Sequence, residues 1–416
     1  MKKYSLLIIL TICATFLICS NLSAQNLMYG CVKKNQGQLR IVNNPSDCNP
    51  SEYFISWGAR PYDRVDPLNL YVDAAIGIDD PNRGLTQDKP FRTIGYALER
   101  VPILRTLETS TTINVAAGQY RESITIGMNS IWLKGAGPNN TALIGDGSTA
   151  VVQLYGPLKG GVAGFTIKNG GSGIYSSSAT VTIENCIIAD NRGYAGVEVY
   201  NNSFMNLKNS DVKGNNTGIS LSRNSSIVMD TCNISANYSN GLAAWYTSTA
   251  RLKNCDVSFN RGNGIEAGAG SSLRMSLSKV YNNTLSGLGI TQQATLASRG
   301  GNEIYSNGDA SGWRAGIAAY YGSVVVFTLE DTQVKDSIYH NNGPGLYISN
   351  NSSLFMKYGE IKENRFDGVG LYVGSTGHFE GGASVTSNGG YGVGCYKESV
   401  VVGSSDFVPG PTNCMW

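Results

Sequence analysis

Apolar residues recur at a fixed interval along the C-terminal two-thirds of the chain, each one directly after a glycine. Seven of the nine intervals between these glycines run from 22 to 24 residues, and the other two are 29. The glycines are Gly173, Gly196, Gly218, Gly241, Gly264, Gly287, Gly316, Gly345, Gly368 and Gly392. A period in the twenties without helical spacing predicts a solenoid of stacked coils.

Two further columns keep the same period. A small residue recurs at Cys186, Ser210, Cys232, Cys255 and Ser278, and an asparagine follows five residues later at Asn191, Asn215, Asn237, Asn260 and Asn283. We expect the glycine to make a turn and the asparagine to occupy a left-handed turn position, where its amide joins a ladder between coils. Coils of this length with asparagine ladders favour an all-β, right-handed, single-stranded parallel β-helix.

The residue after each glycine is expected to point inward, because side chains alternate along a strand. The sequence therefore predicts one buried column of ten residues: Ile174, Val197, Ile219, Leu242, Ile265, Leu288, Ile317, Leu346, Val369 and Val393. From Ile113 onward about 12 or 13 coils are expected, and at ~4.8 Å per coil they would form a rod of about 60 Å.

The segment before the repeats carries a resemblance to a known family. Phe91 to Val101 is predicted to be an amphipathic helix, with Ile94, Ala97, Leu98 and Val101 on one face. The stretch INVAAGQYRESITI follows from Ile113 to Ile126. Together they resemble bacterial parallel β-helix proteins of the pectate-lyase-like superfamily, and the matching positions are Val115, Ala116, Gly118, Tyr120, Arg121, Glu122 and Ile124. The resemblance implies that the helix caps the open end of the solenoid, where an unpaired strand edge needs cover.

The N-terminus is typical of a secretory signal. Lys2 and Lys3 precede an apolar core and a small-residue cleavage site at Ala24. The predicted organisation is a signal peptide (1–24), a small disulfide-bonded module (25–60), a linker (61–69), a strand, loop and capping helix (70–112), the β-helix (113–410) and a C-terminal tail (411–416). The stretch 29–57 also resembles a short Cys-bounded module of secreted bacterial proteins. The mature protein is therefore predicted to have no membrane span and to be secreted, extracellular or at the cell surface, with the periplasm as an alternative.

Export places the remaining seven cysteines in an oxidising compartment. We expect Cys31 to pair with Cys48 and Cys395 to pair with Cys414. Cys186, Cys232 and Cys255 share a column with serines, which indicates packing and not a metal site. The net charge of +2 and the 15% content of charged residues argue against a nucleic-acid partner.

Outward positions of the strand after each glycine offer the best candidates for binding. Tyr200, Trp245, Tyr320, Tyr347 and Tyr372 share this phase, with Glu198 and Glu266 beside them. Aromatic rings on a flat sheet with small residues between them are typical of a polysaccharide-binding surface. The alternative is that tyrosine is a good strand residue and stacks on tyrosines of adjacent coils. Trp245 is the strongest candidate, because the repeat supplies no packing reason for an outward tryptophan.

Catalytic chemistry is harder to place. Glu198 and Glu266 lie three coils, or roughly 14 Å, apart, which exceeds the separation of glycosidase carboxylate pairs. The two histidines, His340 and His378, have no nucleophile or carboxylate beside them in the sequence. No metal or cofactor is predicted; the alternative is calcium at the loop of Asp79, Asp80 and Asn82.

The sequence thus predicts a secreted or cell-surface β-helix that binds polysaccharide or serves a structural role. Two alternatives stay open: a polysaccharide lyase or epimerase with a non-standard site, and an adhesin or assembly protein. The catalytic residues, the glycan and the oligomeric state are not predicted.

Overall fold

A computed structural model of the chain describes residues 28–34, 38–43, 45–57, 68–104, 110–127, 130–156, 159–309, 314–330, 332–404, 407 and 410–414. The predicted signal peptide and most of the predicted linker lie outside these residues. The chain divides into two compact units, Met1–Asp66 and Pro67–Trp416.

The larger unit is a right-handed parallel β-solenoid of about 12 turns, as predicted. One side is a 12-stranded parallel sheet, here called the front sheet. Its strands are Ile124–Ile126, Ala150–Tyr155, Ser172–Ser177, Ala195–Tyr200, Thr217–Leu221, Leu242–Ala244, Ile265–Ala267, Leu288–Ile290, Ile317–Ala319, Leu346–Ile348, Val369–Tyr372 and Val393–Tyr396.

The other strands belong to a 24-stranded sheet that bends into a second and a third face. The second face contains Leu68–Val72, Thr111–Val115, Ile131–Gly135, Lys159–Ala163, Thr180–Glu184, Phe204–Lys208, Ser226–Asp230, Thr249–Lys253, Ser272–Ser276, Thr295–Ser298, Val324–Phe327, Ser353–Lys362, Thr376–Thr386 and Val400–Gly403. The third face contains Gly118–Tyr120, Thr141–Ile144, Thr166–Lys168, Ile187–Ala189, Asp211–Lys213, Asn233–Ser235, Asp256–Ser258, Lys279–Tyr281, Glu303–Tyr305 and Ser337–Tyr339; the long strands Ser353–Lys362 and Thr376–Thr386 continue from the second face into it.

The predicted inward column is confirmed. Ile174 pairs with Val197, Val197 with Ile219, and the same register continues coil by coil to Val393. All ten side chains are completely buried. Because burial of apolar surface is the main stabilising contribution to folding, this column forms the spine of the core.

The repeated glycines have a different physical reason from the one expected. None of those in the described coils from Gly173 to Gly368 has a positive φ. The constraint is space: a Cβ added at Gly241 would lie 2.6 Å from the carbonyl oxygen of Gly264 and 2.7 Å from Nδ2 of Asn260. Glycine is therefore required because the next coil and the asparagine amide approach the backbone closely.

The asparagine ladder is confirmed and is longer than predicted. Each amide nitrogen donates to Oδ1 of the asparagine in the next coil, and the backbone N–H donates to the same oxygen; Asn260 does so to Asn283 at 2.9 and 3.1 Å. The ladder runs from Asn191 through Asn307, Asn341 and Asn364 to Asn388. The expectation that these asparagines adopt the left-handed conformation was wrong.

The left-handed residue is the one before each ladder asparagine, such as Ala236 (φ 54°) before Asn237 and Phe259 (φ 56°) before Asn260. The side chain that satisfies the ladder thus stays in a favourable backbone region, and its neighbour makes the bend. The residue before the asparagine varies in type, from Gly214 to Phe259 and Glu363, while the asparagine recurs.

A helix at Ile94–Leu104 precedes the first complete coils. Ile94, Ala97, Leu98 and Val101 are buried, and the helix contacts the strands Leu68–Val72, Thr111–Val115 and Ile124–Ile126. Its predicted capping role stays a prediction. No helix among the described residues has the length and apolar character needed to cross a membrane.

The C-terminal tail is attached to the last coil. Cys395 and Cys414 form a disulfide, and the N–H of Gly392 donates to the carbonyl of Pro411. The ring of Phe407 stacks on that of Phe379, with centroids 4.4 Å apart. These contacts cover the end of the hydrophobic core.

The smaller unit is a three-stranded antiparallel sheet of Met28–Lys33, Leu39–Val42 and Glu52–Trp57, with Met28–Lys33 in the centre and a 3-10 turn at Pro45–Asp47. The predicted disulfide between Cys31 and Cys48 is present, and Cys31 is buried. Arg40 donates two hydrogen bonds to the Glu52 carboxylate, and they lower its pKa to about 2. The side chain of Trp57, at the end of the third of these strands, lies outside the described atoms.

Candidate functional site

The outer face of the front sheet carries all seven residues predicted to bind carbohydrate. They lie in two neighbouring columns that run along the solenoid. Glu198, Glu266 and Tyr347 share the first column, and Tyr200, Trp245, Tyr320 and Tyr372 share the second. All seven side chains are partly exposed. The outward phase inferred from the sequence therefore matches their position, but their surroundings differ.

The aromatic residues of the C-terminal coils stack on one another. The ring centroids of Tyr347 and Tyr372 are 4.5 Å apart, and those of Tyr372 and Tyr396 are 4.6 Å apart with an interplanar angle of 8°. We call these three residues the tyrosine stack. Burial raises the pKa of Tyr372 to about 12, and Tyr320 packs against the end of the stack at 5.5 Å from Tyr347. Both ring faces of Tyr372 are therefore occupied by other tyrosines.

Tyr200 and Trp245 also have intramolecular neighbours. The guanidinium of Arg223 lies 4.7 Å from the centroid of the Tyr200 ring, in cation–π geometry. The indole of Trp245 lies over Gly268 in the next coil, where an added Cβ would be only 2.1 Å from the ring. Trp245 thus packs against the backbone of Gly268. The sequence did not predict this contact, because a glycine has no side chain that would mark it as a packing partner.

The N-terminal coils of the front sheet contain an open depression of about 430 Å³, here called the groove. Its walls include three tyrosines, Tyr155, Tyr175 and Tyr194, together with Glu198 and Gln153. Tyr155 and Tyr175 are 5.8 Å apart and tilted by 53°, so these rings do not stack face to face. Tyr194 is 57% exposed and Tyr155 39% exposed. The groove therefore has exposed aromatic surface that other side chains of the fold do not cover.

Glu198 is the most unusual titratable group in the groove. It is partly buried, and this burial raises its pKa, while a hydrogen bond donated by the Ser172 hydroxyl opposes the shift. A carboxyl group with a raised pKa in a depression is typical of a binding or catalytic site. By contrast, the carboxylate of Glu266 accepts a hydrogen bond from the Asn240 amide.

A second depression of about 580 Å³ adjoins the groove at Gly193. Its lining includes Asp146, Asp190 and Arg192. The Asp146 carboxylate accepts hydrogen bonds from the backbone and hydroxyl of Ser148, which lower its pKa. The two depressions together provide aromatic, amide, carboxyl and guanidinium groups along one side of the N-terminal coils.

The register excludes Glu198 and Glu266 as a catalytic carboxylate pair. Glu198 lies beside Ser220, which lies beside Ala243, which lies beside Glu266, so three coil steps separate the two. Both histidines lie in C-terminal coils, away from the groove. Nε2 of His340 lies 2.8 Å from a carboxylate oxygen of Glu363, and the ring of His378 stacks on that of Phe355. Neither contributes to the N-terminal depressions.

In the loop that was the alternative calcium site, the carboxylates of Asp79 and Asp80 accept hydrogen bonds from the protein itself. Asp79 accepts hydrogen bonds from the backbone N–H groups of Arg92 and Thr93 and from the Thr93 hydroxyl, at the start of the helix. Asp80 accepts one from the N–H of Asn82 within its own turn. These bonds are those of a helix cap and an Asx turn.

Two groove residues, Tyr155 and Tyr194, were missed by sequence reasoning. Tyr155 lies in a coil whose strand Ala150–Tyr155 lacks the glycine that marks the others, although Val152 pairs with Ile174. Tyr194 lies in a turn, where no repeated column exists. Extending the register by one coil upstream of Ser177 would have found Tyr155.

A comparison with protein families agrees with this architecture. The family model described as "Right handed beta helix region" matches residues 159–307 and 240–406, which together cover more than half of the chain. The chain belongs to this family. Membership of this family establishes the stacked coils of a right-handed β-helix protein. It does not establish an activity, which depends on the residues of the site.

Two kinds of similarity to other proteins were found, one in sequence and one in fold. The β-helix protein is 27% identical over 159 residues to a probable pectinesterase/pectinesterase inhibitor 33 of Arabidopsis thaliana; the match covers 38% of this chain and spans about a quarter (24%) of that relative's length. Among solved structures, the A-module of mannuronan C-5 epimerase AlgE6 of Azotobacter vinelandii has a TM-score of 0.54 at 16% identity, covering 78% of this chain and 95% of that one. Pectate lyase Pel9A has a TM-score of 0.43 at 13% identity, covering 82% and 78%.

Proposed function

We propose that this β-helix protein binds a polysaccharide along the outer face of its front sheet, with the groove as the principal contact. The observation that supports this most is the unstacked aromatic lining of the groove, where Tyr155, Tyr175 and Tyr194 surround Glu198. Tyrosine rings gain free energy by covering the apolar face of a sugar, and their hydroxyls keep a hydrogen-bonding tip. Trp245, Tyr200 and Glu266 extend the same face toward the later coils.

Within this proposal, Tyr320, Tyr347 and Tyr372 contribute less to binding than the sequence pattern suggested. Their rings already cover one another, and a sugar could reach mainly their edges. They are proposed to shape the surface at the C-terminal end of a long ligand, while the groove supplies most of the stacking energy.

We also propose that the protein acts outside the cytoplasm. The two disulfides support this, because such bonds persist in oxidising compartments. The signal-like N-terminus supports it as well.

A second candidate function is a polysaccharide lyase or epimerase, and one observation favours it. The pKa of Glu198 is raised by burial in the groove, which is the kind of perturbation that general acids and bases show. In this version Glu198 exchanges a proton with the bound sugar, and the tyrosines position it. The mannuronan C-5 epimerase of similar fold makes epimerisation one of the reactions to test.

The proposal is tested by affinity gel electrophoresis of the purified chain against polygalacturonate, alginate, xylan and a β-glucan. We expect at least one to retard it, and Tyr155→Ala and Trp245→Ala each to weaken that binding about five- to tenfold, by analogy with aromatic stacking on bases. Tyr53→Ala is the matched control, since Tyr53 is a half-exposed tyrosine of the smaller unit. Unchanged binding by both Tyr155→Ala and Trp245→Ala would contradict the proposal.

The same panel separates binder from enzyme. Each polysaccharide is incubated with wild-type protein and with Glu198→Gln, and unsaturated or epimerised products are followed by ultraviolet absorbance and proton NMR. Product formation that Glu198→Gln abolishes supports the enzyme, whereas retained binding without product supports the binding protein.

A further inference from the structure

The turns that leave the front sheet have a distinctive backbone, and we call them the rim turns. In most coils two successive residues with positive φ follow the last outward residue of the strand. A buried serine then donates its hydroxyl to the preceding carbonyl, as Ser248 does to Trp245. The first positions of these turns are Asn201, Arg223, Tyr246, Ala269, Gln292, Tyr321, Asn350, Val373 and Lys397.

Two of these positions hold tyrosine, a residue that the left-handed conformation disfavours. Tyr246 has φ 53° and Tyr321 has φ 55°. A side chain with a Cβ costs free energy in this region, and asparagine or glycine tolerates it best. Other rim turns do use asparagine, at Asn201 and Asn350.

The fold gains little from these two rings. Tyr246 is 62% exposed and Tyr321 59% exposed, among the highest exposures of large apolar or aromatic residues in the described chain. Their exposure leaves both rings free to contact a ligand. Phe259 is also left-handed and exposed, so what distinguishes Tyr246 and Tyr321 is their position at the edge of the front sheet.

Both tyrosines lie next to a predicted ligand-binding ring. Tyr246 directly follows Trp245, and Tyr321 directly follows Tyr320, with centroids of the latter pair 6.3 Å apart and tilted by 40°. Three coil steps separate Tyr246 from Tyr321, which is ~14 Å along the solenoid axis. A linear ligand laid along the front sheet would therefore pass both.

The neighbours of these tyrosines on the rim indicate the chemistry of the ligand. Exposed carboxamides flank them at Asn224, Gln292 and Gln293, and Asn351 follows one coil after Tyr321. Carboxamides both donate and accept hydrogen bonds, which matches the hydroxyl groups of a sugar better than the surface of an apolar protein partner.

From these observations we infer that Tyr246 and Tyr321 form a second row of contacts with the polysaccharide, at the rim of the front sheet. This inference rests on the proposed function. It adds a second contact surface: the outer face of the front sheet contacts one side of the sugar chain, and the rim tyrosines contact another.

The inference predicts that stability and binding change in opposite directions. Tyr246→Asn and Tyr321→Asn place a tolerated residue in each turn, so the melting temperature should stay the same or rise by about 1–2 °C. Binding of the panel polysaccharide that retards wild-type protein most should weaken at least about fivefold in each variant. Tyr246→Gly, which also relieves the strain, should reproduce the result for that turn.

Phe259→Asn is the matched control. Phe259 is likewise aromatic, 57% exposed and left-handed (φ 56°), but it lies in the turn after the third-face strand Asp256–Ser258. This variant should bind as wild type does. Its stability should not rise as far, because it loses the edge contact between the Phe259 and Tyr281 rings, whose centroids are 5.8 Å apart. Normal binding by both rim variants, while Trp245→Ala binds weakly, would overturn the inference and leave the proposed function intact; normal binding by all three, including Trp245→Ala, would contradict both.

Discussion

The two ends of the front sheet use the same residue type in opposite ways. In the C-terminal coils Tyr347, Tyr372 and Tyr396 stack nearly parallel at 4.5–4.6 Å, whereas in the N-terminal coils Tyr155 and Tyr175 are tilted by 53° at 5.8 Å. The stacked rings are structural, and the tilted rings line a groove with Glu198. The difference shows that outward tyrosines on one sheet can either cover one another or leave their ring faces open, and only the open rings fit the proposed binding surface.

The neighbouring side chains account for this difference. Beside the tyrosine stack, the first outward column holds Gly370 and Gly394, and a Cβ there would clash with the rings of Tyr372 and Tyr396. Glycine lets each ring lie flat and meet the next ring. In the N-terminal coils the same column holds Gln153, Tyr175 and Glu198, whose bulk keeps the rings apart.

The largest effect on the free energy of unfolding is expected in the asparagine ladder, which is the same at both ends of the solenoid. Asn215→Ala beside the groove removes the acceptor for the N–H and amide of Asn191, and Asn341→Ala near the tyrosine stack does the same to Asn307. Each change takes the acceptor from one buried backbone N–H and removes the bond between the two amides, while the amide nitrogen keeps its carbonyl acceptors. Together these losses should lower the free energy of unfolding by about 3 kcal/mol in each case. Urea denaturation of both variants measures it, and a loss at only one end would show that the ladder does not support the two ends equally.

A smaller effect distinguishes the ends by pH. Asp336 is buried in the C-terminal half, within the column that holds Ser278 and Asn302, and burial raises its pKa to about 6. The folded state therefore holds a proton that the unfolded state releases. This contribution to stability is complete below about pH 4 and is lost as the pH rises to about 6.

Asp336→Asn keeps the hydrogen-bonding shape without the charge, and Asn302 shows that the column accepts asparagine. We expect the variant to be more stable than wild type at pH 7 by roughly 2–3 kcal/mol, and to lose the decline in stability between pH 4 and 6. Thermal melts across this range measure it. A variant that is less stable at pH 7 would contradict the buried, pH-dependent role of Asp336.

The sequence predicted the fold well because the repeat records what each coil must satisfy. The column from Ile174 to Val393 and the asparagine ladder follow from period and chemistry alone. The reason for the glycines did not, since the approach of Gly264 and Asn260 to Gly241 depends on the distance between coils. The left-handed position also moved by one residue, from Asn260 to Phe259, because spacing does not specify φ.

The candidate site was predictable only in part. Alternation from the buried column correctly placed Trp245 and Glu198 on the outer face. Whether a ring stacks, covers a glycine or stays open depends on side-chain torsions and on the size of the residue in the next coil. Tyr155 and Tyr194 belong to a coil and a turn without the repeated glycine, so no pattern marked them.

The most direct test compares Tyr175→Ala with Tyr372→Ala, one tyrosine from each end, by measuring polysaccharide affinity and melting temperature on the same samples. We expect Tyr175→Ala to weaken binding at least about fivefold, because its ring is proposed to contact the ligand. The variant should lower the melting temperature less than Tyr372→Ala does, because the Tyr175 ring is tilted against its two neighbours, at 5.8 Å from Tyr155 and 6.4 Å from Tyr200. Tyr372→Ala should lower the melting temperature by a few degrees and leave affinity within about twofold, since its ring lies between two others. The reverse result, with binding lost at Tyr372 and stability lost at Tyr175, would contradict the assignment of the groove as the binding site.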